Sequence, residues 1–169
     1  MKKLIIFLLI AAAAKYGWDR YQLALEKAKA PDVFTNPVYA VVRFKLQFQG
    51  RSFDEVVFAQ TRDPVDCQSY SKMIINQAER PDQKGLSWTL QSSECKTELE
   101  PRYAKLFDNQ PTSVTYLSLG RGGRDERETR VIYWNITVEE SDRVCSGVSQ
   151  MQAGHGRKGA VRCIHAQKQ

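Results

Sequence analysis

Residues 39–49 alternate without a break, and this one stretch confines the chain to folds built around a half-buried sheet. Ala40, Val42, Phe44, Leu46 and Phe48 fall on one face. Arg43, Lys45, Gln47 and Gln49 fall on the other, together with Tyr39 and Val41. Successive side chains of a strand point to opposite faces, so the pattern predicts a strand with an apolar side to bury. Gly50 and Arg51 supply a turn, and residues 53–61 complete a hairpin. Asp63-Pro64 stops the second strand. Asp66 is placed to cap a helix carrying Cys67, Tyr70, Ile74 and Ala78 on one stripe. Pro81 and Gly85 close that segment, and residues 86–95 read as a third strand with Trp88 and Leu90 on one face.

Pro101 suits the first turn of a short helix whose apolar side is Leu99, Tyr103, Leu106 and Phe107. The earlier order then returns. Residues 114–119 are a strand, 120–128 a polar loop, and 129–138 a strand with Ile132, Trp134, Ile136 and Val138 on one face. Ser141 or Asp142 is placed to cap a helix with Val144, Cys145, Val148 and Met151. Residues 154–159 form a loop and 160–166 the last strand. The expected fold is α+β: two ββαβ-like units, residues 38–97 and 112–166, forming an antiparallel or mixed sheet with helices packed on one face. The repetition is one of pattern, not of sequence.

Each unit carries one cysteine near the start of its helix and one in its last strand. Four cysteines allow three pairings; the repeat selects Cys67–Cys95 and Cys145–Cys163. Chain entropy assigns about 3.5 kcal/mol to the first loop and about 3 kcal/mol to the second. A redox role would call for a C-x-x-C pair, and a zinc site for close-spaced ligand pairs; the chain has neither, so no metal or cofactor is expected.

The amino terminus says where such a domain works. Lys2 and Lys3 precede an apolar run, Leu4 to Ile10, and then four alanines, the order of a secretory signal. The 11 apolar residues from Leu4 to Ala14 cover only about half of a bilayer core as a helix. Residues 1–14 therefore read as a signal peptide or a short membrane anchor, the latter favoured by Lys15, Tyr16, Trp18 and Arg20 at its end. Residues 15–37 read as a helical, then extended, linker, and residues 38–169 as one domain. Both readings of the leader place that domain outside the cytoplasm, in the periplasm or held at the inner membrane.

The composition fits. With 42% apolar and 26% charged residues in 169, the chain is neither collagenous, low-complexity nor disordered. The net charge of +6 includes the two leader lysines, leaving about +4, which does not imply nucleic acid. Trp88 and Trp134 fall on apolar faces and read as core, not as base-stacking platforms.

Candidate site residues are few. The 120–128 loop holds Arg121, Arg124 and Arg127 among glycines, and reads as a mobile hairpin tip suited to a partner contact. Its replacement by an Asn-Gly turn is expected to change stability by less than about 1 kcal/mol. His155 and Arg157 lie in the second basic loop, 154–159. The expected function is a non-enzymatic exported module that binds another envelope protein. The alternatives are a small envelope hydrolase using His155 or His165, and an inhibitor that inserts the 120–128 loop into an envelope-degrading enzyme.

Overall fold

A computed structural model of the chain describes residues 15–21, 34–48, 50–78, 86–154 and 158–167. Among the described residues six strands form one antiparallel sheet: β1 (Val38–Phe48), β2 (Arg51–Thr61), β3 (Leu86–Lys96), β4 (Tyr116–Leu119), β5 (Glu128–Trp134) and β6 (Val161–Ile164). Their spatial order is β3-β1-β2-β5-β4-β6. Helix α1 (Pro64–Ala78) joins β2 to β3, α3 (Val138–Gly154) joins β5 to β6, and the short α2 (Pro101–Ala104) continues into a 3-10 turn, Lys105–Asp108. Among the described residues no helix is long and apolar enough to cross a membrane. Residues 15–21 are helical, with Tyr16, Trp18 and Tyr21 exposed; the leader, residues 1–14, and linker residues 22–33 lie outside the described residues.

The alternation of β1 places Val42, Phe44 and Leu46 beneath the two long helices, where they pack with Val57, Leu117 and Val131 of the sheet and with Ile74, Ile75 and Val148 of the helices. The expectation that all helices share one face is corrected by α2. Tyr103 and Leu106 pack on the opposite face against Val41, Val56, Phe58, Tyr116 and Ile132, with the Phe58 and Tyr103 ring centroids 4.7 Å apart. Val41 interrupts the polar side of β1 and makes that second face worth covering. Arg130 holds the cover in place. It is fully buried on β5, donating from Nε to the Leu106 carbonyl at 2.7 Å and from Nη2 to the Phe107 carbonyl at 3.2 Å. The Leu106 carbonyl also accepts the Asn109 N–H at 3.1 Å, so Arg130 reinforces the bond that closes the 3-10 turn. Glu128 balances the charge at 2.5 Å.

Four boundaries differ from the sequence expectation. Helix α1 begins earlier, capped by Asp63, whose Oδ1 accepts the Asp66 N–H at 2.8 Å, with Pro64 as the first helical residue. Helix α3 is capped by Thr137, not by Ser141 or Asp142. The Thr137 hydroxyl accepts the Glu140 N–H at 3.2 Å and the Glu140 carboxylate accepts the Thr137 N–H at 2.9 Å, a reciprocal capping box. Strand β5 stops at Trp134 because Asn135 turns left-handed, at φ 64°. At the β1–β2 turn Gly50 is at φ 76°, and Arg51, expected in the turn, is already paired with Phe48 as the first residue of β2.

Cys67 is joined to Cys95 and Cys145 to Cys163, the pairs the pattern selects, with Cα separations of 6.1 and 5.8 Å. The first bond depends on an irregularity. Trp88 and Cys95 are an odd number of residues apart, so a regular strand would point them to opposite faces. The register of β3 against β1 slips between Arg43 and Phe44, with Gln91 as the extra residue. This bulge leaves Trp88 opposite Leu46 and Cys95 opposite Ala40, both on the α1 face. Two disulfides and no free cysteine suggest an oxidising, extracytoplasmic location.

Candidate functional site: a cleft over Glu55

Helices α1 and α3 lie on the same face of the sheet but stand apart, and the gap between them is a cleft of about 470 Å³. The sheet supplies its floor through Phe44, Phe53, Glu55, Trp88 and Tyr133; Ile74 and Ala78 of α1 and Val148 and Met151 of α3 form the walls. Pairing explains why one carboxylate stands among aromatic rings. Phe44 opposes Glu55 across β1 and β2, and Glu55 opposes Tyr133 across β2 and β5, so the three share a row. Trp88 Nε1 donates to Glu55 Oε2 at 3.0 Å, and the Phe53 and Tyr133 rings meet edge to face at 6.5 Å.

Among the described residues no lysine or arginine pairs with Glu55. Burial pushes its carboxyl above the usual carboxylate range, and the Trp88 hydrogen bond offsets only part of that. Burial, and then the charge of Glu55, push the Tyr133 hydroxyl well above its ordinary value. A carboxylate half-buried among apolar groups with one neutral donor is unfavourable for folding. The arrangement can accept a hydrogen bond from, and neutralise, a positive group that enters the cleft.

The arginines of the 120–128 loop are held differently from each other. Arg127 is buried: its Nη2 and Nε donate to the two oxygens of Asp66 at 2.7 and 3.0 Å, and its Nη1 donates to the carbonyls of Arg124 and Glu126. Burial opposes the ionised form of Asp66, but hydrogen bonds from Arg127 and Arg62 outweigh it and hold the carboxyl well below the usual range. Arg121 donates to the Glu126 carbonyl at 3.1 Å and lies 4.0 Å from the ring centroid of Phe34. Arg124 is exposed.

The reading of this loop as a mobile tip is corrected. The Glu126 carboxylate accepts the backbone N–H groups of Gly122, Lys158 and Gly159 at 2.6–2.9 Å, and the Gly120 N–H donates to the Ala160 carbonyl at 2.6 Å. A Cβ on Gly159 would lie 1.9 Å from the Gly120 oxygen, so these glycines serve close backbone approach, not mobility. His155 and Arg157 lie outside the described residues.

His165 meets a carboxylate and a hydroxyl. Its Nδ1 lies 2.9 Å from Asp142 Oδ1, and the Thr115 hydroxyl donates to the same oxygen at 2.6 Å. A nucleophile–base relay needs the hydroxyl on the far nitrogen of the imidazole. Here the hydroxyl proton goes to the carboxylate, Thr115 is buried, and Thr115 Oγ1 also accepts the Ala166 N–H at 3.0 Å. The cluster fastens the end of β6 to the start of α3.

Sequence reasoning passed over Glu55 and Tyr133. A signal existed: in β2, Phe53, Glu55, Val57 and Ala59 share a face, and Glu55 is the polar residue in an otherwise apolar row. Tyr133 carries no such mark. No family model, curated protein or solved structure matches this chain.

Proposed function

We propose that this chain is an exported, non-catalytic binding module of the bacterial envelope that takes a segment of another envelope protein into the cleft between α1 and α3. The observation that carries the reading is that cleft: an aromatic floor open between two helices, with a carboxylate the fold does not require. The leader and the two disulfides support a periplasmic or membrane-tethered setting. The experiment is site-specific photocrosslinking in intact cells from position 151 in the cleft wall and from position 124 on the loop. The expected result is an adduct to a protein from Met151 and none from Arg124. An adduct from Arg124 alone would move the contact to the loop. A reporter fused after Gln169 that is active only in the cytoplasm would overturn the setting.

The same reading treats the two halves as ββαβ units. In each, the first strand is central, the second lies inside and the third outside, giving β3-β1-β2 and β6-β4-β5, and each disulfide ties helix to third strand. Native-state hydrogen exchange tests it: two groups of amides that open separately are expected, and one cooperative opening across all six strands would count against it.

A further inference from the structure

The ligand's chemistry follows from what the cleft lacks. We infer that the cleft between α1 and α3 receives an ammonium or guanidinium group on an apolar stem, with Glu55 as its counter-charge and the surrounding rings as its walls. The inference rests on the cleft being the binding site, and names what enters it.

Three features converge. The Glu55 carboxylate has one hydrogen bond among the described residues, the neutral indole N–H of Trp88, and no cationic partner. Charge complementarity therefore calls for a cation from outside, since a half-buried carboxylate gains more from a charged donor than from a neutral one. Phe44, Phe53, Trp88 and Tyr133 surround it, and a cation is attracted to ring faces while its methylene stem gains from apolar walls. An anionic ligand would meet Glu55 as a like charge, and a neutral one would leave it unpaired. Lysine and arginine side chains of an envelope protein have the required form, as do free alkylamines.

Among the described residues the titratable groups lining the cleft are Glu55 and Tyr133; the polar residues facing them from the helices are Gln77 of α1 and Gln152 of α3, which do not titrate. Binding is thus expected to strengthen as pH rises and Glu55 ionises. Residues 79–85, between α1 and β3, lie outside the described residues and contain Arg80 and Lys84, so an internal cation is the competing occupant the test must separate.

The probes are hexylammonium, butylguanidinium, hexanol and hexanoate, followed by the Trp88 indole N–H signal in NMR titrations of the full chain. Two peptides, acetyl-Leu-Lys-Leu-amide and its norleucine analogue, separate a protein side chain from a free amine. The expected result is that the two cations shift the Trp88 signal and bind Glu55→Gln about tenfold to a hundredfold more weakly. Hexanoate should be inert and the lysine peptide preferred over its analogue. Hexanol binding as well as hexylammonium would overturn the inference while leaving the cleft as a binding site. Free amines binding with no preference for the lysine peptide would confine the ligand to small molecules and overturn the protein source. If Arg80→Gln/Lys84→Gln moves the Trp88 signal as Glu55→Gln does, the cation is internal and the inference fails. Silence of every probe, with Met151 still crosslinking a partner, would reject cation recognition alone; silence of both would reject the site.

Discussion

Replacing Arg127 with alanine is expected to destabilise the protein by about 3 kcal/mol, for reasons that can be followed bond by bond. The side chains of Arg127 and Asp66 are 7% and 9% exposed, so their pair is a buried one. Breaking such a pair from one side costs about 3–5 kcal/mol, chiefly because a charge is left without its partner. Asp66 would keep the Arg62 backbone N–H at 2.9 Å, which places the cost near the lower end. The carbonyls of Arg124 and Glu126 would lose their donor, and the loop its anchor on α1. For a domain of this size the melting temperature should fall by roughly 10 °C. Thermal and urea unfolding of the oxidised protein, followed by circular dichroism, measures this. The double variant Asp66→Ala/Arg127→Ala should lose less than the sum of the singles, since it leaves no unpaired charge. The pH dependence has a definite sign. A carboxyl held low contributes stability above its unfolded value, about 3.9, and loses it as pH falls through the folded one. The gap between the wild type and Asp66→Asn should therefore begin to narrow below about pH 4 and close only as pH falls through the folded value. A loss under about 1 kcal/mol for Arg127→Ala, or additive singles, would refute the reasoning and class the pair with surface ion pairs.

Replacing the 120–128 loop by an Asn-Gly turn removes Arg127 and Glu126 together and should now cost at least about 3 kcal/mol in the same unfolding assay. Gly159→Ala should destabilise by more than about 1 kcal/mol, because its Cβ meets the Gly120 backbone, whereas Gly147→Ala, in open space on α3, should stabilise by up to about 1 kcal/mol. Non-reducing peptide mapping should recover Cys67 with Cys95 and Cys145 with Cys163, and removing either bond should lower stability by about 3 kcal/mol; crossed pairs would contradict the fold. Glu55 carries the opposite sign from Asp66. Its raised carboxyl favours the protonated native state, so the native form loses stability as pH rises above the unfolded value, and Glu55→Gln should melt higher than the wild type at pH 7.

The sequence by itself determined the elements and their order. Alternation in β1, the apolar stripe of α1, the proline that opens α2 and the paired placement of cysteines are local signals, each readable because the side-chain period is a property of the backbone. The spacing of the cysteines also picked out Cys67 with Cys95 and Cys145 with Cys163, the pairs that are joined. What only tertiary structure decided depends on parity and on neighbours distant in the chain. The bulge at Gln91 that brings Cys95 under α1 leaves no mark in the strand's own residues. Arg127 and Arg124 read alike in the loop; one is buried only because Asp66, 61 residues away, accepts its hydrogen bonds. Glu55 is marked in the sequence only as the polar residue of an apolar row; the register sets it between Phe44 and Tyr133, and the two helices stand apart above it. Burial and electrostatic partnership are relations between segments, and folding settles them only when the sheet is assembled.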